Sequence, residues 1–338
     1  MDARDVVLSV DGVTKHFPVK GARFGRHGRV VRALDGVSFE LRKGETLGIV
    51  GESGCGKSTL ARTIVGLETP TSGAVRFRGA DVHGLRGRAR DDMRRRVQIV
   101  LQDPYASLNP RRTVRETLLQ PFQVHPDVVP RSARAAKVEE LVELVGLNPD
   151  HLDRYPFQFS GGQRQRIGIA RALALSPEVI VCDEPVSALD VSVQAQVVNL
   201  LQRLQRELGL AYVFIAHDLS VVRHISDRIG VMYLGRVAEI GERAAVYDTP
   251  AHPYTDALLS AVPIPDPARR GSVRELLAGD PPSPVDPPSG CRFRTRCAFA
   301  QDVCATDEPT LHPTPPDALR EVACHFPLIP DTVPALEK

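Results

Sequence analysis

The stretch Thr46-Leu-Gly-Ile-Val50 runs directly into Gly51-Glu-Ser-Gly-Cys-Gly-Lys-Ser-Thr59, so an apolar segment meets a glycine-rich turn. A helical pattern of apolar residues follows from Leu60 and breaks at Gly66. This order predicts a strand, a loop and a helix. Glycines in such a loop let successive backbone N–H groups converge on phosphate oxygens at the start of a helix. The stretch therefore predicts a phosphate-binding loop.

The spacing within this loop fits the Walker A pattern in full. Lys57 can reach the β- and γ-phosphates of a nucleotide, and the Ser58 hydroxyl can ligate Mg²⁺. Kinases, GTPases, helicases and transporters all share such a loop, so it predicts nucleoside triphosphate binding without selecting a class. The residues that we expect to contact the nucleotide are Gly51, Ser53, Gly54, Cys55, Gly56, Lys57, Ser58 and Thr59.

The bulk properties limit the classes of partner and compartment. The 338 residues suffice for one large domain with an appendage or for two modest domains. The formal net charge of +2, from 43 basic and 41 acidic residues, gives no electrostatic reason to expect nucleic acid or an anionic membrane as the main partner. The Arg-rich residues 86–96 are interpreted as solvated surface. No apolar run approaches the ~18 residues of a membrane-spanning helix, and no signal-peptide core follows Met1, so we expect a cytosolic chain.

The segments on either side of the loop predict further elements. Val6-Val-Leu-Ser-Val10 and Val37-Ser-Phe-Glu-Leu41 have β-rich, partly alternating patterns that are typical of strands. Phe17 is a candidate to stack on an adenine ring, and a core or surface role is the alternative. Turn-rich and helical patterns over residues 103–160 predict a small helical insertion.

Ser160-Gly-Gly-Gln163 opens a helical pattern that continues to about Leu175. Ser160 followed three positions later by Gln163 is the capping-box spacing of a helix start. The same segment suits a phosphate, because Ser160 supplies a hydroxyl, Gly161 and Gly162 permit close backbone approach, and a helix N-terminus carries partial positive charge. Both interpretations can hold together.

Two apolar segments end in polar residues that suit catalysis. Glu178-Val-Ile-Val-Cys-Asp-Glu184 predicts a buried parallel strand with two carboxylates at its C-terminal end, where open α/β sheets bind ligands. Asp183 can hold Mg²⁺ through water, and Glu184 can orient or deprotonate the attacking water. His217 follows the apolar segment Tyr212-Val-Phe-Ile-Ala216 in the same way, although a lone histidine is more often structural.

The chain resembles the ATP-binding cassette (ABC) superfamily over residues 5 to about 245 through motifs in this order: Walker A, Gln102, Ser160-Gly-Gly-Gln163, Asp183-Glu184, Ser187-Ala-Leu-Asp190 and His217. The resemblance implies an α/β fold in which a P-loop core sheet carries an antiparallel β subdomain and a helical subdomain. It also implies that two cassettes sandwich two ATP molecules head to tail.

The same resemblance implies a role for individual residues. Ser160 and Gly162 would address the γ-phosphate bound to the partner cassette. Gln102 would touch Mg²⁺ and the attacking water, and His217 would hold the γ-phosphate. Phe17 lies where the family places its adenine-stacking aromatic.

Further motifs are similar to the ATP-binding subunits of oligopeptide/dipeptide importers, in particular the F-type partner: residues 102–111, Ser187-Ala-Leu-Asp-Val-Ser192, His252-Pro-Tyr-Thr255, residues 290–297 and Val322-Ala-Cys-His325. Phe157-Gln158 departs from the His-Glu that this family usually shows. The resemblance implies a cassette at residues 5–250, with its helical subdomain at about 103–160, and a loop-rich extension at 251–338.

What such a subunit assembles with follows from the resemblance too. It implies a second, related cassette chain as heterodimer partner, two transmembrane permease subunits, an extracytoplasmic solute-binding protein and a peripheral position on the cytoplasmic face of the cell membrane. Dipeptides, longer peptides, nickel complexes and glutathione all remain open as solutes. The alternatives are a soluble ABC ATPase of repair or translation, or an ATPase that chiefly senses metal or redox state.

The extension holds a cluster of cysteines. The chain has 6 cysteines, and we expect no structural disulfides in a cytosolic protein. Thiolates can hold an iron–sulfur cluster or zinc, and neither C-x-x-C pair of a zinc ribbon is present. The resemblance favours a [4Fe–4S] cluster, with zinc or free thiols as alternatives, on Cys291, Cys297, Cys304 and Cys324.

Cys55 carries a separate hypothesis. It lies among converging N–H groups at a helix start and beside Lys57, an environment that lowers the pKa of a thiol. We therefore expect alkylation there to abolish ATP hydrolysis and ATP to protect. Cys182, within an apolar strand, is interpreted as a small hydrophobic residue.

Overall fold

The computed structural model describes residues 5–19, 29–261, 279–314 and 317–328. Its strands are β1 (Val6–Pro18), β2 (Val30–Arg42), β3 (Thr46–Val50), β4 (Ser72–Phe77), β5 (Ala80–Asp81), β6 (Val97–Val100), β7 (Val179–Asp183), β8 (Ala211–Ile215), β9 (Arg228–Tyr233), β10 (Arg236–Glu242), β11 (His312–Thr314) and β12 (Asp317–Val322).

The helices follow the same chain order. They are α1 (Lys57–Ile64), α2 (Gly87–Arg96), α3 (Pro104–Ser107), α4 (Val114–Val124), α5 (Arg134–Leu144), α6 (Gly161–Leu173), α7 (Val191–Leu208), α8 (Leu219–Ile225), α9 (Arg243–Asp248), α10 (Pro253–Ser260) and α11 (Val303–Thr306). In the described part of the chain, none of these helices has both the length and the apolar composition needed to cross a membrane.

The strands form two sheets. The 4-stranded sheet has the order β2-β1-β4-β5 and is antiparallel throughout. The 8-stranded sheet has the order β11-β12-β10-β9-β3-β8-β7-β6. Its central pairs β9-β3, β3-β8, β8-β7 and β7-β6 are parallel. The antiparallel sheet and the P-loop core sheet that the resemblance to ABC proteins implies are therefore both present.

The central strands position the site. Every residue of β3, β7 and β8 is buried, as expected for parallel strands covered on both faces. The three strands are adjacent and parallel, so their C-terminal ends open at the same edge of the sheet. The loops that follow them therefore meet, and open α/β sheets bind their ligands at such an edge.

The buried side chains of the helical insertion belong to the main core. Thr113 starts α4 with a capping box to Glu116, and Ser160 starts α6 in the same way with Gln163. The buried side chains that α4, α5 and α6 contribute include Leu118, Phe122, Val138, Val142 and Ile167. The insertion therefore sits on the core sheet through α6, whose apolar side chains belong to the same core cluster as Ile180 of β7.

The C-terminal extension is built onto the core sheet. Strand β12 pairs antiparallel with β10, where Glu239 lies opposite Val322, and β11 pairs with β12 in turn. Phe293, 3 % exposed, enters the main core. Of the 28 prolines of the chain, 15 lie between Pro263 and Pro334, a composition that leaves the extension little core of its own. Packing on a host surface explains how such a segment is held.

Candidate nucleotide-binding site

The glycines of the phosphate-binding loop are required by close packing. Gly51 has φ +152, and a Cβ there would lie 2.2 Å from the Met232 carbonyl oxygen at the end of β9. Gly56 has φ +109, and a Cβ there would lie 2.1 Å from the Ala33 carbonyl oxygen in β2. A side chain at either position would collide with backbone that cannot move aside. The loop is thus pressed between β9 and β2.

Lys57 begins α1 and turns back over the loop. Its Nζ donates to the Gly51 carbonyl at 2.7 Å and to the Glu52 carbonyl at 3.0 Å, and the residue is only 4 % exposed. The ammonium group is therefore held above the loop by backbone oxygens. From there its charge is available to phosphate oxygens that bind at the N-terminus of α1.

Ser58 and Asp183 form a pair of oxygen ligands. The Ser58 hydroxyl donates to Asp183 Oδ1 at 3.0 Å, which joins the first turn of α1 to the end of β7. Burial raises the pKa of Asp183, the hydrogen bond from Ser58 opposes this rise, and the nearby Glu184 adds to it. A cation would favour the ionised carboxylate at this point. The Ser58 hydroxyl and the Asp183 carboxylate are hard oxygen donors, which is the type of ligand that Mg²⁺ prefers.

Glu184 is held in a strained backbone conformation. Its φ of +46 lies in the left-handed region, which is uncommon for a non-glycine residue. The Glu184 N–H donates to the Ile215 carbonyl at 3.0 Å, while its own carbonyl accepts from the Ser187 hydroxyl at 3.1 Å. These bonds hold the residue after β7 against the end of β8.

Two further side chains meet the Glu184 carboxylate. Gln102 Nε2 donates to Glu184 Oε2 at 2.7 Å, and His217 Nδ1 lies 3.9 Å from the same oxygen. Glu184 is 15 % exposed and His217 is 58 % exposed, so the carboxylate is shielded while the imidazole reaches solvent. The structure therefore brings Gln102, Glu184 and His217 together beside Asp183 and the phosphate-binding loop.

The Ser160 segment forms the capped N-terminus of α6. Its side chain accepts from the Gln163 N–H at 3.3 Å, and Gln163 Oε1 accepts from the Ser160 N–H at 3.0 Å. Ser160 is exposed at the N-terminus of α6. Gly162 packs against α7, because a Cβ there would lie 2.3 Å from Val193 Cγ1, and Gly161 approaches Leu189. The glycines thus have a packing role besides the one that the sequence suggested.

Phe17 lies in β1 opposite Val31 and is half-buried. Lys15 Nζ lies 4.8 Å from the centre of its ring. The ring therefore makes a cation–π contact with Lys15. Its role in stacking on adenine stays a prediction.

The hypothesis of a lowered pKa at Cys55 is wrong. Burial raises the pKa of this thiol and outweighs the nearby Lys57 cation, which lowers it. The residue is only 4 % exposed, and its Sγ lies 3.9 Å from Lys57 Nζ. The sequence showed the neighbouring charge but could not show that the thiol faces inward against Gly51.

The four cysteines of the extension line one small cavity together with His252 and Phe293. Burial raises the pKa of Cys291 and Cys297, and that of Cys324 to about 12. The donor set is the kind that binds iron or zinc. Within the described residues, however, no group of three or more metal-ligating side chains is arranged to hold a metal ion.

Comparison with known proteins decides the family. Residues 34–187 match the family described as "ABC transporter", and residues 238–304 match "Oligopeptide/dipeptide transporter, C-terminal region". AppF of Bacillus subtilis, an oligopeptide transport ATP-binding protein, is 53 % identical over 96 % of this chain and 98 % of its own length. The chain belongs to the ABC transporter ATP-binding proteins.

Other ABC proteins support this membership. The putative oligopeptide transport ATP-binding protein YkfD of Bacillus subtilis is 59 % identical over 88 % of this chain and 90 % of its own. OppF of Escherichia coli is 51 % identical over 92 % of this chain and 94 % of its own. A solved dimeric ATP-binding cassette, bound to ADP and Pi after hydrolysis, is 30 % identical with a TM-score of 0.61 and covers 70 % of this chain and 98 % of its own.

Sequence reasoning missed two contacts that Glu52 makes in the phosphate-binding loop of this ABC ATPase. Glu52 is paired with Arg296 of the extension, and its N–H donates to the Tyr254 hydroxyl at 3.0 Å. The signal in the sequence is the charge of Glu52 among the small residues of the loop. This charge indicates that Glu52 has an ion-pair partner, but it does not identify the partner.

Proposed function

We propose that this chain is the ATP-hydrolysing subunit of an importer for peptides or similar small solutes. One observation carries the proposal: Lys57, the Ser58–Asp183 pair and the Gln102–Glu184–His217 group converge at one sheet edge. The relatives named oligopeptide transport ATP-binding proteins, at 51 % to 59 % identity, supply the solute class. The reaction is ATP plus water to ADP and phosphate.

Each residue of the group has a role in this proposal. Lys57 and the loop N–H groups bind the phosphates, and Ser58, Asp183 and Gln102 supply oxygens for Mg²⁺. The ion neutralises phosphate charge when bound. Glu184 accepts a proton from the attacking water, and Gln102 holds the Glu184 carboxylate in place.

The remaining contacts complete the nucleotide site. The His217 side chain reaches solvent beside Glu184 and holds the γ-phosphate, while Phe17 stacks on the adenine. The other loop contacts come from Gly51, Ser53, Gly54, Cys55, Gly56 and Thr59.

The site is completed by a second cassette. Ser160 and Gln163 stand at the N-terminus of α6, where Ser160 is exposed. A helix N-terminus suits phosphate, so Ser160 through Gln163 address the nucleotide of the partner. The proposed partners are a related cassette chain, two transmembrane permease subunits and, through them, an extracytoplasmic solute-binding protein. The complex places this chain at the cytoplasmic face of the cell membrane.

The importer assignment is tested on the complex purified from membranes. Subunits that copurify are identified by mass spectrometry, and ATP hydrolysis is measured with the loaded solute-binding protein. Stimulation by dipeptides or longer peptides supports peptide import. Stimulation only by nickel complexes or by glutathione would reassign the solute, and a purified complex that contains no permease subunits would reject the importer.

We further propose that residues 5–250 form the cassette, with a helical subdomain at 103–160, and that residues 251–338 form the extension. The family match at residues 238–304 supports an extension that begins near this boundary.

We propose that Cys291, Cys297, Cys304 and Cys324 hold a [4Fe–4S] cluster in the extension. The shared cavity supports this assignment. Binding would require the thiols to deprotonate and to draw together, which the iron charge favours. Iron and sulfide are measured after anaerobic purification. Brown protein that contains both supports the cluster; colourless protein with zinc, or with neither metal, contradicts it.

A further inference from the structure

Glu52 uses all its polar groups to tie the phosphate-binding loop to its surroundings. Its carbonyl accepts from Lys57 Nζ at 3.0 Å and from the Cys55 N–H at 3.3 Å. Its N–H donates to the hydroxyl of Tyr254, a residue of α10 that is fully buried. Any shift of Glu52 therefore moves an oxygen that holds the phosphate-binding lysine.

The Glu52 carboxylate is fixed from the far end of the chain. Arg296 Nη1 donates to Glu52 Oε2 at 2.7 Å, and Arg296 Nη2 donates to Oε1 at 2.9 Å. Such a two-bond pair is strong and fixes orientation as well as distance. The side chains are 5 % exposed for Arg296 and 22 % for Glu52, so water screens the pair only in part. The hydrogen bonds to Glu52 raise the pKa of Arg296, which stays charged.

Arg296 is itself held by packed aromatic rings. Its backbone N–H donates to the Phe293 carbonyl at 2.9 Å. The Phe293 ring lies 5.4 Å from that of Tyr233 and 5.3 Å from that of Tyr254, between centroids. Tyr233 ends β9, which is hydrogen-bonded to β3, the strand that leads into the loop. The guanidinium is therefore presented from a rigid support.

We propose that Arg296 is a positioning residue for the phosphate-binding loop and that, through Glu52, the C-terminal extension sets the affinity of the cassette for ATP. The inference rests on the proposed function in taking ATP as the ligand. Arg296 touches no phosphate in this scheme. It holds Glu52, whose backbone holds Lys57.

The test uses the full-length protein and a double-mutant cycle. Arg296→Gln and Glu52→Gln are made singly and together, and the Kd for a fluorescent ATP analogue with Mg²⁺ is measured beside KM and kcat. We expect each single variant to raise Kd and KM about tenfold, the change that corresponds to about 1.4 kcal/mol. The double variant should be no weaker than the singles, because one interaction is lost in all three. At saturating ATP, kcat should stay within about twofold of the parent.

Two further variants separate positioning from general damage. Arg294→Gln is the matched control: Arg294 lies in the same turn of helix, but its guanidinium bonds to Ser289 within the extension, at 2.9 Å to the carbonyl. It should leave Kd unchanged. The exchanged pair Glu52→Arg with Arg296→Glu should recover part of the affinity. Thermal unfolding confirms that each variant folds.

Three outcomes would overturn the inference: unchanged Kd in Arg296→Gln, additive losses in the double variant, or an equal loss in Arg294→Gln. These are distinct from failure of the proposed function. In that case the unmodified protein would itself neither bind nor hydrolyse ATP.

Discussion

The amide Nε2 of Gln102 lies 2.7 Å from Oε2 of Glu184. This hydrogen bond joins the segment that follows β6 to the segment that follows β7. The carboxylate is thereby oriented before any proton transfer takes place. Glu184 also carries a left-handed backbone, fastened by bonds to Ile215 and Ser187. Strain at such a position is typical of a site that must aim one side chain.

Glu184→Gln should abolish turnover while preserving the site. The amide can still bond to Gln102 but cannot accept a proton, and loss of a general base slows hydrolysis by about 10²-fold to 10⁴-fold. The variant should retain ATP and accumulate as a closed dimer, measured by size exclusion with ATP and Mg²⁺. Glu207→Gln, at an exposed position of α7 paired with Arg203, is the control and should behave as the parent. Rapid turnover by Glu184→Gln would refute the assigned role.

Asp183→Asn should stabilise the protein when Mg²⁺ is absent. Burial raises the pKa of Asp183 above the ordinary aspartate value of 3.8. The stability contributed by its protonated form is therefore complete below pH 3.8 and is lost as pH rises through the folded pKa. At pH 7 the parent therefore buries a charge that Asn lacks. We expect a higher Tm for the variant at pH 7 and no difference at low pH. ATP hydrolysis should be lost, and a lower Tm at pH 7 would contradict this account.

Gly162→Ala should destabilise the fold through a steric clash, independently of nucleotide binding. The added Cβ would lie 2.3 Å from Val193 Cγ1, and Val is stiff within a helix. Overpacking of this kind costs about 1–3 kcal/mol in the free energy of unfolding. The double variant with Val193→Ala removes the clash and should recover most of the stability, measured by urea unfolding. If ATPase activity does not recover with it, Gly162 also serves the nucleotide.

His252 should make the chain sensitive to acid. Burial lowers its pKa from 6.5 to about 4, so its contribution to stability is present above 6.5 and is lost as pH falls through about 4. Its Nδ1 accepts from the Tyr254 N–H at 3.0 Å at the start of α10. Asn can supply the same helix cap without titrating. His252→Asn should therefore lose less Tm between pH 7 and pH 4 than the parent; parallel curves would argue against a role for this histidine.

Cys55 should react slowly with alkylating reagents in the folded protein. Its buried thiol has a raised pKa, and the thiolate is the reactive form. Iodoacetamide labelling at pH 7.5, followed by mass spectrometry, should rise steeply when the chain is unfolded in urea. Fast labelling of the folded chain, with protection by ATP, would instead restore the hypothesis drawn from the sequence.

The sequence predicts the elements whose pattern is local. The Walker A loop, the strand ending at Asp183 and the capped helix after Ser160 each carry their signal within a few residues. Helix α2 was missed, because it buries only Met93 and has no apolar stripe to detect. Hydrophobic periodicity reveals a helix only when one face of it is buried, and α2 has almost no buried face.

Contacts between distant segments could not be predicted in this way. Arg296 and Glu52 are separated by 244 positions, and nothing near either residue specifies the other. The prediction of a lowered pKa for Cys55 failed for a related reason. The neighbouring charge is visible in the sequence, but the depth of burial of the thiol is not. Pairing of β12 with β10 likewise depends on which edge of the sheet is open.

That pairing also decides which strand forms the edge of the 8-stranded sheet. The last strand of the cassette, β10, would expose a row of unpaired N–H and C=O groups if the chain ended near residue 250, and bare strand edges recruit other strands. The extension covers this side and finishes the sheet with β11, a three-residue strand that contains Pro313. A short edge interrupted by proline is a poor template for further growth. With the extension in place, the sheet therefore ends in the short β11 instead of in the seven-residue β10.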